Sequence, residues 1–367
     1  MGKDFLKRLI VTGAGGAPAL NFIKSLHLAP EPVYVIGADS NEFNLALSAA
    51  DENHLVPTAA DSDYVPVLKD LIRETRADFL FAQPDPEIAV ISEYRDELDI
   101  RTFLPSRETI RICQDKFLAF ECWKRADMKV PATRLAQSQD DLRLMFNAFG
   151  ELWLRPTIGA AGRGSLHAKD LESAIDWIEF NKGWGTYTIA EYLSPHSVTW
   201  QSIWNQGELV VAQGRRRLSW AFGDRAMSGV TGITAVGVTV SDPILDDIAF
   251  KAITAIDPEP HGIFSVDMTY SPDQVPNPTE INIGRFFTTH LFFSQAGLNM
   301  PRILLKLAFG EEMPPISRTM SPLPDGLVWI RGMDREPILT NMETIESSIS
   351  ELSLRRIQHG YVDSARA

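Results

Sequence analysis

The stretch LWLRPTIGAAGRGS, residues 152–165, contains an apolar, strand-like run that ends at Arg155-Pro156 and opens into a glycine-rich loop. Backbone N–H groups approach an anion closely where no Cβ intervenes, so a glycine loop after a strand is typical of a phosphate site. The loop is not a P-loop of the Walker type, because no Gly-Lys-Ser/Thr sequence follows it. The stretch therefore predicts a different phosphate site, in which an arginine ends a strand and a flexible glycine loop covers the ligand.

The first hundred residues alternate apolar strands with amphipathic helices. Continuous apolar strands in such an alternation predict a parallel sheet covered by helices on both faces, as in a Rossmann-like domain. The predicted strands are 7–13, 33–39 and 78–83, and the predicted helices are 17–28, 64–77 and 86–98.

The pattern changes after a connector helix predicted at 106–126. From about residue 134 the chain favours antiparallel strands and hairpins, with amphipathic helices at 170–183 and 242–256. One hairpin is predicted to turn at Asn205-Gln206-Gly207, and a second is predicted within 262–284. One or two strands and a last helix are predicted in the segment from about 313. The fold class predicted for the whole chain is α/β.

Composition excludes several classes of protein. The chain has 367 residues, a net charge of −13 and 44% hydrophobic residues, as expected for a globular protein that does not bind nucleic acid or anionic membranes. No apolar run is long enough to span a membrane, and the N-terminal residues lack a signal-peptide core. The two cysteines, Cys113 and Cys122, favour buried reduced thiols over a zinc site. We therefore expect a cytoplasmic protein.

A second glycine turn, VTGAGGAP at 11–18, follows the first predicted strand. In a dinucleotide-binding unit such a turn holds pyrophosphate, and an acidic residue such as Asp39 binds ribose. Pro18 occupies the position of the third glycine, so an NAD(P) site and a tight turn for some other ligand both stay open.

A set of oxygen-bearing side chains lies in the predicted hairpin of 262–284. Asp267 is in the first strand, and Glu280 and Asn282 lie two residues apart on the second, where they share one face. Two carboxylates and an amide oxygen are typical of a Mg²⁺ site that also binds substrate phosphates. Arg285 follows and could hold an anion. The alternative is a solvated strand face.

Three further features are ambiguous by themselves. Lys116 at the start of a helix is compatible with simple solvation. Three consecutive arginines at 215–217 place Arg215 and Arg217 on one side of a strand, where they favour either an anion site or a solvated edge strand. The strand end Glu191-Tyr192-Leu193 offers backbone groups that could bind an adenine edge.

The order of these features is more specific than any one of them. A Rossmann-like domain, a helix that begins Asp115-Lys116, a strand ending in Arg-Pro before a glycine loop, Glu191-Tyr192-Leu193 and the Glu-Ile-Asn of 280–282 follow one another. This order resembles the ATP-grasp superfamily of carboxylate–amine ligases over roughly residues 5–312. Within it the chain looks most like the branch of the carbamoyl phosphate synthetase large subunit, but as a single unit.

The resemblance implies a role for each residue and a division of the chain. It implies ATP and Mg²⁺ (or Mn²⁺) as cofactors. The ATP contacts would be Lys116, Arg155, Gly159, Gly162, Arg163, Gly164, Glu191, Tyr192 and Leu193; the metal ligands Asp267, Glu280 and Asn282; the catalytic residues Arg285, Arg155 and Asn282; and the substrate contacts Arg215 and Arg217. The implied parts are a Rossmann-like domain (1–104), a connector helix and lid subdomain (105–190), a C-terminal ATP-grasp subdomain (191–312) and an extension (313–367).

Two departures from the family pattern stand out. Gly284 places Arg285 three residues after Asn282, where the family often has arginine two residues after asparagine. The acidic residue that usually contacts ribose would fall near Ser197–Thr199, where the chain has no carboxylate.

The resemblance implies that the protein activates a small carboxylate as an acyl phosphate and joins it to an amine. The alternatives are an NAD(P)-dependent oxidoreductase and a non-catalytic, ATP-binding regulatory protein. The expected partners are small molecules, and a homodimer of the chain stays open. The sequence does not identify the carboxylate or the amine.

Overall fold

The computed structural model describes residues 6–160, 162–333 and 338–347, and these residues form three β-sheets. No helix within these ranges is long and apolar enough to cross a bilayer.

The first sheet is parallel and has the strand order β3-β2-β1-β4. It confirms the predicted Rossmann-like domain, because continuous apolar strands such as β1 are buried under helices on both faces. One short helix and one edge strand, α2 and β3, were not predicted, since neither is apolar. The elements are β1 (Lys7–Thr12), α1 (Ala17–His27), β2 (Val33–Asp39), α2 (Glu42–Leu45), β3 (Glu52–Leu55), α3 (Tyr64–Thr75), β4 (Phe79–Phe81), α4 (Asp85–Glu93) and α5 (Arg95–Leu98).

The connector is two helices, α6 (Arg107–Gln114) and α7 (Lys116–Arg125). Periodicity predicted one helix over 106–126, whereas the motif order placed a helix start at Asp115-Lys116, which is where α7 begins. The break is at Asp115, whose backbone is extended and pairs with Ile158 in an isolated β-bridge. Its carboxylate accepts hydrogen bonds from the first free N–H groups of α7 and caps that helix. Helical periodicity alone does not reveal such a break, because the bridge partner is distant in sequence.

The second sheet is small and antiparallel, with the order β5-β8-β6-β7. Leu152 and Leu154 of β6 are fully buried against two helices, so the alternate residues Trp153 and Arg155 face the other side. The elements are β5 (Thr133–Leu135), α8 (Gln139–Phe149), β6 (Leu152–Pro156), β7 (Leu166–Ala168), α9 (Leu171–Phe180) and β8 (Tyr187–Glu191).

The third sheet is a seven-stranded antiparallel sheet with the order β13-β12-β9-β10-β11-β14-β15. The predicted hairpin turn at 205–207 joins β9 to β10, and the second predicted hairpin is β12–β13. The elements are β9 (Ser197–Asn205), β10 (Glu208–Trp220), a 3₁₀ turn (Gly223–Arg225), β11 (Thr234–Val240), α10 (Pro243–Thr254), β12 (Gly262–Tyr270), β13 (Pro276–Ile283), α11 (Leu291–Gln295), α12 (Met300–Ala308), β14 (Leu327–Ile330) and β15 (Ile338–Asn341).

The C-terminal segment adds two strands, β14 and β15, to the edge of the third sheet. This confirms the predicted strands after residue 313. Residues 342–347 are helical, and the rest of the predicted last helix lies outside the described residues.

Candidate functional site

A cavity of about 270 Å³ lies between the second and third sheets. The second sheet and the chain after β8 form one wall, and β12 and β13 form the other. Residues 228–230, from the loop between β10 and β11, close one end. The predicted site residues that line this cavity are Lys116, Arg155, Glu191, Tyr192, Leu193, Arg217, Asp267 and Glu280.

Lys116 lies at the first position of α7 and its side chain is buried. Its Nζ donates to the carbonyl of Gly159 at 2.6 Å and lies 3.7 Å from Glu280 Oε2. Burial lowers the pKa of the Lys116 ammonium, while Glu280 opposes that shift. The lysine is therefore not a solvated helix residue, since it joins the glycine loop to a carboxylate of the opposite wall.

Arg155 faces the cavity from β6, because β6 alternates its side chains between the core and the cavity. Its NH2 donates to the carbonyl of Thr279 at 2.5 Å, and its NH1 lies 3.4 Å from Glu280 Oε2. Its Nε is buried without a hydrogen-bond partner in the described part of the chain. Burial lowers the pKa of this guanidinium, which is opposed by Glu280 and Asp267. An unpaired donor on a buried cation favours an anionic ligand at this point.

Asp267 and Glu280 are directly paired across β12 and β13. Thr199 donates a hydrogen bond to Asp267 Oδ1, and Asn282 Nδ2 donates to Asp267 Oδ2 at 3.0 Å. Both carboxylates are only partly exposed, at 20% and 28% of their side-chain surface. The hairpin thus brings the two predicted carboxylates together at the cavity wall, as the β-register requires.

Asn282, predicted as a metal ligand, bonds both to the neighbouring carboxylate and to Arg285. Its Oδ1 accepts a hydrogen bond from Arg285 NH2 at 2.6 Å, and its amide nitrogen donates a hydrogen bond to Asp267. In this arrangement one lone pair of Asn282 Oδ1 is used by Arg285, and the second lone pair has no partner in the described chain. It links the arginine to the carboxylate, because a side-chain amide both donates and accepts.

The two carboxylates fit Mg²⁺ as partial ligands. Within residues 6–160, 162–333 and 338–347, no three His, Cys, Asp or Glu side chains gather into a metal cage. Mg²⁺ commonly takes one or two carboxylates and completes its shell with water and substrate phosphates. Asp267 and Glu280 beside Lys116 and Arg155 match that kind of open site.

Arg285 makes a bidentate ion pair with Asp85 of the first domain, at 2.5 and 3.0 Å. Gly284, with a φ of +73°, provides the left-handed turn after β13 that directs Arg285 there. The pair raises the pKa of Arg285 against the opposing effect of burial. Asp85 was missed by sequence reasoning, although its place after a parallel strand, in Gln83-Pro84-Asp85, is where α/β sheets bind ligands.

The two predicted substrate arginines are not equivalent. Arg215 is 1% exposed, and its guanidinium is enclosed by the hydroxyls of Thr199, Thr234 and Thr289. It does not line the cavity, so the structure does not support the predicted direct contact with substrate. Arg217 does line the cavity. It lies 3.8 Å from the Trp220 ring centroid and 3.6 Å from Asp267 Oδ1. Burial lowers the pKa of both guanidinium groups.

The strand end at 191–193 offers one free donor to the cavity. The Glu191 carboxylate accepts from the N–H of Ala132 at 2.9 Å, which gives it a structural role. The Tyr192 N–H donates to the Glu151 carbonyl at 3.2 Å. Leu193 lines the cavity, and its N–H has no hydrogen-bond partner in the described chain. Of the predicted adenine contacts, the Leu193 N–H is therefore a donor that a ligand can use.

The glycine loop lies closed against the loop that precedes β11. Gly162 has a φ of +68°, and a Cβ there would come within 2.6 Å of the Val230 carbonyl. Gly159 accepts the Lys116 hydrogen bond, and Gly164 has a φ of +74°. The Arg163 side chain is exposed. The sequence did not indicate the 228–230 segment as a partner of the loop, because the contact joins distant strands.

The N-terminal glycine turn is filled by the protein itself. A Cβ at Gly15 would lie 1.7 Å from the Asn44 carbonyl, so α2 packs directly on the turn. The Asp39 carboxylate accepts from the N–H groups of Gly15 and Asn41 at 3.1 and 3.0 Å. The acidic residue that a dinucleotide ribose needs is thus engaged within the chain. The turn has no room for a pyrophosphate, which removes the support for an NAD(P) site.

Residues 9–102 match the family model described as the PylC-like, N-terminal domain. No curated protein sequence matches the chain significantly.

Solved structures resemble most of the chain. The N5-carboxyaminoimidazole synthetase from Staphylococcus aureus covers 95% of this chain and 97% of its own, with a TM-score of 0.69 and 13% identity. The carboxyaminoimidazole ribonucleotide synthase from Aspergillus clavatus, complexed with ATP, covers 88% of this chain and 81% of its own, with a TM-score of 0.66 and 18% identity.

A third structure is the biotin carboxylase domain of 2-oxoglutarate carboxylase from Hydrogenobacter thermophilus, a dimer in complex with MgADP, ADP and bicarbonate. It covers 89% of this chain and 75% of its own, with a TM-score of 0.69 and 14% identity. All three likenesses extend across the first domain, the small sheet and the large sheet, so they concern the whole fold rather than one domain.

Proposed function

We propose that this chain, which has an ATP-grasp fold, is an ATP- and Mg²⁺-dependent ligase that joins a small carboxylate to an amine. The observation that carries the proposal is the meeting of two walls in one cavity. Asp267 and Glu280 on the large sheet face Lys116, which is buried, and Arg155, which is largely buried; the small sheet and its connector helix hold these two cations. Paired carboxylates opposite paired cations suit a metal–triphosphate complex. The carboxylates can bind the metal ion, and the cations can bind the phosphate groups.

The chemistry begins with a carboxylate, which is a poor electrophile. An oxygen of the carboxylate attacks the γ-phosphorus of ATP, the bond to ADP breaks, and an acyl phosphate forms. Phosphoryl transfer needs positioning and charge neutralisation more than covalent help. We assign these tasks to Lys116 and Arg155, with Mg²⁺, held by Asp267 and Glu280, neutralising phosphate charge.

The amine then attacks the acyl carbon. The C–N bond forms, the C–O bond to phosphate breaks, inorganic phosphate leaves and the nitrogen loses a proton. We propose that Arg217, exposed to the cavity, holds an anionic group of the substrate. Arg285 does not line the cavity in this arrangement, so it would hold phosphate oxygens after exchanging Asp85 for the ligand.

The closed glycine loop protects the reaction. An acyl phosphate hydrolyses if water reaches it, so the cavity must close before the transfer. Gly159, Gly162 and Gly164 all have positive φ values, which permit the loop to open and close without Cβ strain. Its contact with residues 228–230 is the closed position.

Bicarbonate is one candidate for the carboxylate substrate. The Hydrogenobacter thermophilus domain was crystallised with bicarbonate as well as MgADP, so the proposed reaction includes the carboxylation of an amine. That domain is a dimer, and a homodimer of this chain in the cytoplasm is part of the proposal.

The first test is nucleotide binding by thermal shift with ATP plus MgCl₂, ATP plus EDTA, and NADH. We expect stabilisation by ATP with Mg²⁺ and none by NADH. Stabilisation by NADH alone would favour the oxidoreductase instead.

The second test is phosphate release from ATP with pooled carboxylates and amines. We expect Glu280→Gln to lower release about 100-fold or more, because it removes one of two metal-binding carboxylates. Glu208→Gln, at an exposed position of β10, is the matched control and should keep full activity. Full activity of the Glu280 variant would refute the metal site. ATP binding without phosphate release from any pool would favour a regulatory protein.

A further inference from the structure

An aromatic stack supports the chain just before the free Leu193 N–H. The His167 ring, on β7, lies on the Tyr192 ring with a centroid distance of 3.6 Å and an interplanar angle of 11°. His167 is paired with Trp153 across β6 and β7, so both side chains project toward the same face of the small sheet. The ring of Tyr192 is thereby held in place by a side chain of strand β7.

Glu151 holds the same residue in two ways. Its carboxylate Oε2 lies 2.7 Å from His167 Nε2 and fixes the plane of the imidazole. Its backbone carbonyl accepts the Tyr192 N–H at 3.2 Å. One residue therefore anchors both the main chain of Tyr192 and, through His167, its ring.

The contacts of Tyr192 affect the peptide group between Tyr192 and Leu193. Because Tyr192 is held at its N–H and at its ring, these contacts restrict the position of the peptide group that follows, which carries the Leu193 N–H. Leu193 lines the cavity, and its N–H has no partner in the described chain. A donor at this point pairs with N1 of adenine, which is an acceptor. It opposes N1 of guanine, which carries a hydrogen, so the wrong base leaves two donors facing each other.

We propose that Glu151 and His167 form a clamp that positions the Leu193 N–H and so sets the preference for adenine over guanine nucleotides. The clamp rests on the proposed function, since it assumes that ATP binds in this cavity. His167 and Glu151 are positioning residues, because neither lines the cavity.

The test compares binding of non-hydrolysable ATP and GTP analogues, with Mg²⁺, by isothermal titration calorimetry. We expect His167→Ala to weaken binding of the ATP analogue about 10-fold and to leave the GTP analogue within 2-fold, so that discrimination falls. In steady-state assays KM for ATP should rise with kcat nearly unchanged. His167→Phe keeps the stack and should recover most of the ATP affinity.

A matched control is available in the first domain. His54 forms the same kind of pair with Glu52, at 2.6 Å, on edge strand β3 away from the cavity. His54→Ala should leave both affinities unchanged. Melting temperatures measured alongside separate a folding defect from a binding defect, and a folded His167→Phe variant keeps the proposal testable if His167→Ala does not fold.

The outcomes are distinguishable. If the wild-type protein binds neither analogue, the proposed function itself fails. If the wild type binds the ATP analogue but does not prefer it to the GTP analogue, only the clamp is refuted. An equal change in both affinities on His167→Ala, or no change in either, also refutes the clamp while the ligase proposal stands.

Discussion

Thr199 shows how one hydroxyl orders three charged groups. A hydroxyl has one hydrogen to donate and two lone pairs that accept. Thr199 donates to Asp267 Oδ1 and accepts from Arg215 NH2 at 2.8 Å and from Arg217 NH2 at 3.3 Å. Its bonding capacity is thus fully used, and Asp267 is held in one orientation toward the cavity.

We expect Thr199→Val to weaken the metal site without removing a ligand. Valine keeps the shape of threonine but leaves two buried arginines short of an acceptor, which costs about 1.5–3 kcal/mol of stability. The Mg²⁺ concentration at half-maximal activity should rise several-fold, and Mn²⁺ binding to the protein–ADP complex, followed by electron paramagnetic resonance, should weaken in parallel.

Thr199→Ser is the matched variant, because serine restores the hydroxyl. It should recover the metal affinity even if it is less stable than the wild type. Unchanged Mn²⁺ affinity in a folded Thr199→Val variant would show that Asp267 needs no support from this hydroxyl.

At the scale of elements, the glycine loop and the loop before β11 contact each other beside the cavity and together form what we call its cover. The contact depends on Gly162, since any side chain there would collide with the Val230 carbonyl. The closed position therefore depends on a backbone-to-backbone approach that only glycine permits.

Gly162→Ala should hold the cover partly open. The Cβ adds a 2.6 Å contact with the Val230 carbonyl to the strain of a φ of +68°. We expect kcat for amide formation to fall about 10-fold, while a larger share of ATP is lost to hydrolysis because water reaches the acyl phosphate. The ratio of phosphate released to amide formed measures this uncoupling.

Gly185→Ala separates strain from contact. Gly185 has a φ of +80° and nothing within 4 Å of its Cβ position, so it carries similar backbone strain in open space. It should lower stability and leave the ratio of phosphate to amide unchanged. Equal uncoupling in both variants would contradict the proposed role of the Gly162–Val230 contact.

Across the whole molecule, the first domain is joined to the large sheet by a shared core and by ion pairs. The rings of Phe22 and Phe81 stack at 3.8 Å, and Phe286, just after β13, lies 5.9 Å from Phe22. Several ion pairs of the described residues cross the same interface, among them Asp85–Arg285 near the cavity and Glu31–Arg302 away from it. The first pair links the carboxyl edge of the parallel sheet to the hairpin that carries Asp267 and Glu280, through Asn282.

The two pairs should behave differently. Glu31→Gln should cost at most about 1 kcal/mol of stability, since its pair is partly exposed, and should leave activity unchanged. Asp85→Asn should cost more stability, about 1.5–3 kcal/mol, because Arg285 is largely buried. It should also lower kcat/KM for the carboxylate about 10-fold or more, because Arg285 loses its bidentate hold. Chemical denaturation and carboxylate-dependent phosphate release measure the two effects. Equal activity of both variants would show that the Asp85 pair only joins the domains.

Local patterns account for much of the molecule. Apolar strands alternating with amphipathic helices predicted the parallel sheet, and the two-residue spacing of Glu280 and Asn282 placed both on one face of β13. The order of the motifs predicted the ATP-grasp fold. These features follow from the periodicity of apolar residues and from the order of motifs, and both can be read directly from one sequence.

Long-range contacts account for the rest. The break between α6 and α7 at Asp115 is accompanied by a β-bridge to Ile158, and Arg285 forms its ion pair with Asp85 of the first domain. Arg215 lies outside the cavity because its guanidinium is bound by three threonines from separate elements. The domain boundaries, the roles of the site residues and the likeness to the carbamoyl phosphate synthetase branch stay predictions.

The residue types and their order along the chain were thus sufficient for the fold and for the chemical character of the cavity: cations from one wall, carboxylates from the other and a glycine loop between them. Which oxygen or nitrogen atoms stay free for a ligand was settled only when the chain folded. Hydrogen bonds to distant partners remove a group from the cavity, as they do for Arg215, and such partners are set by packing between elements rather than by local sequence.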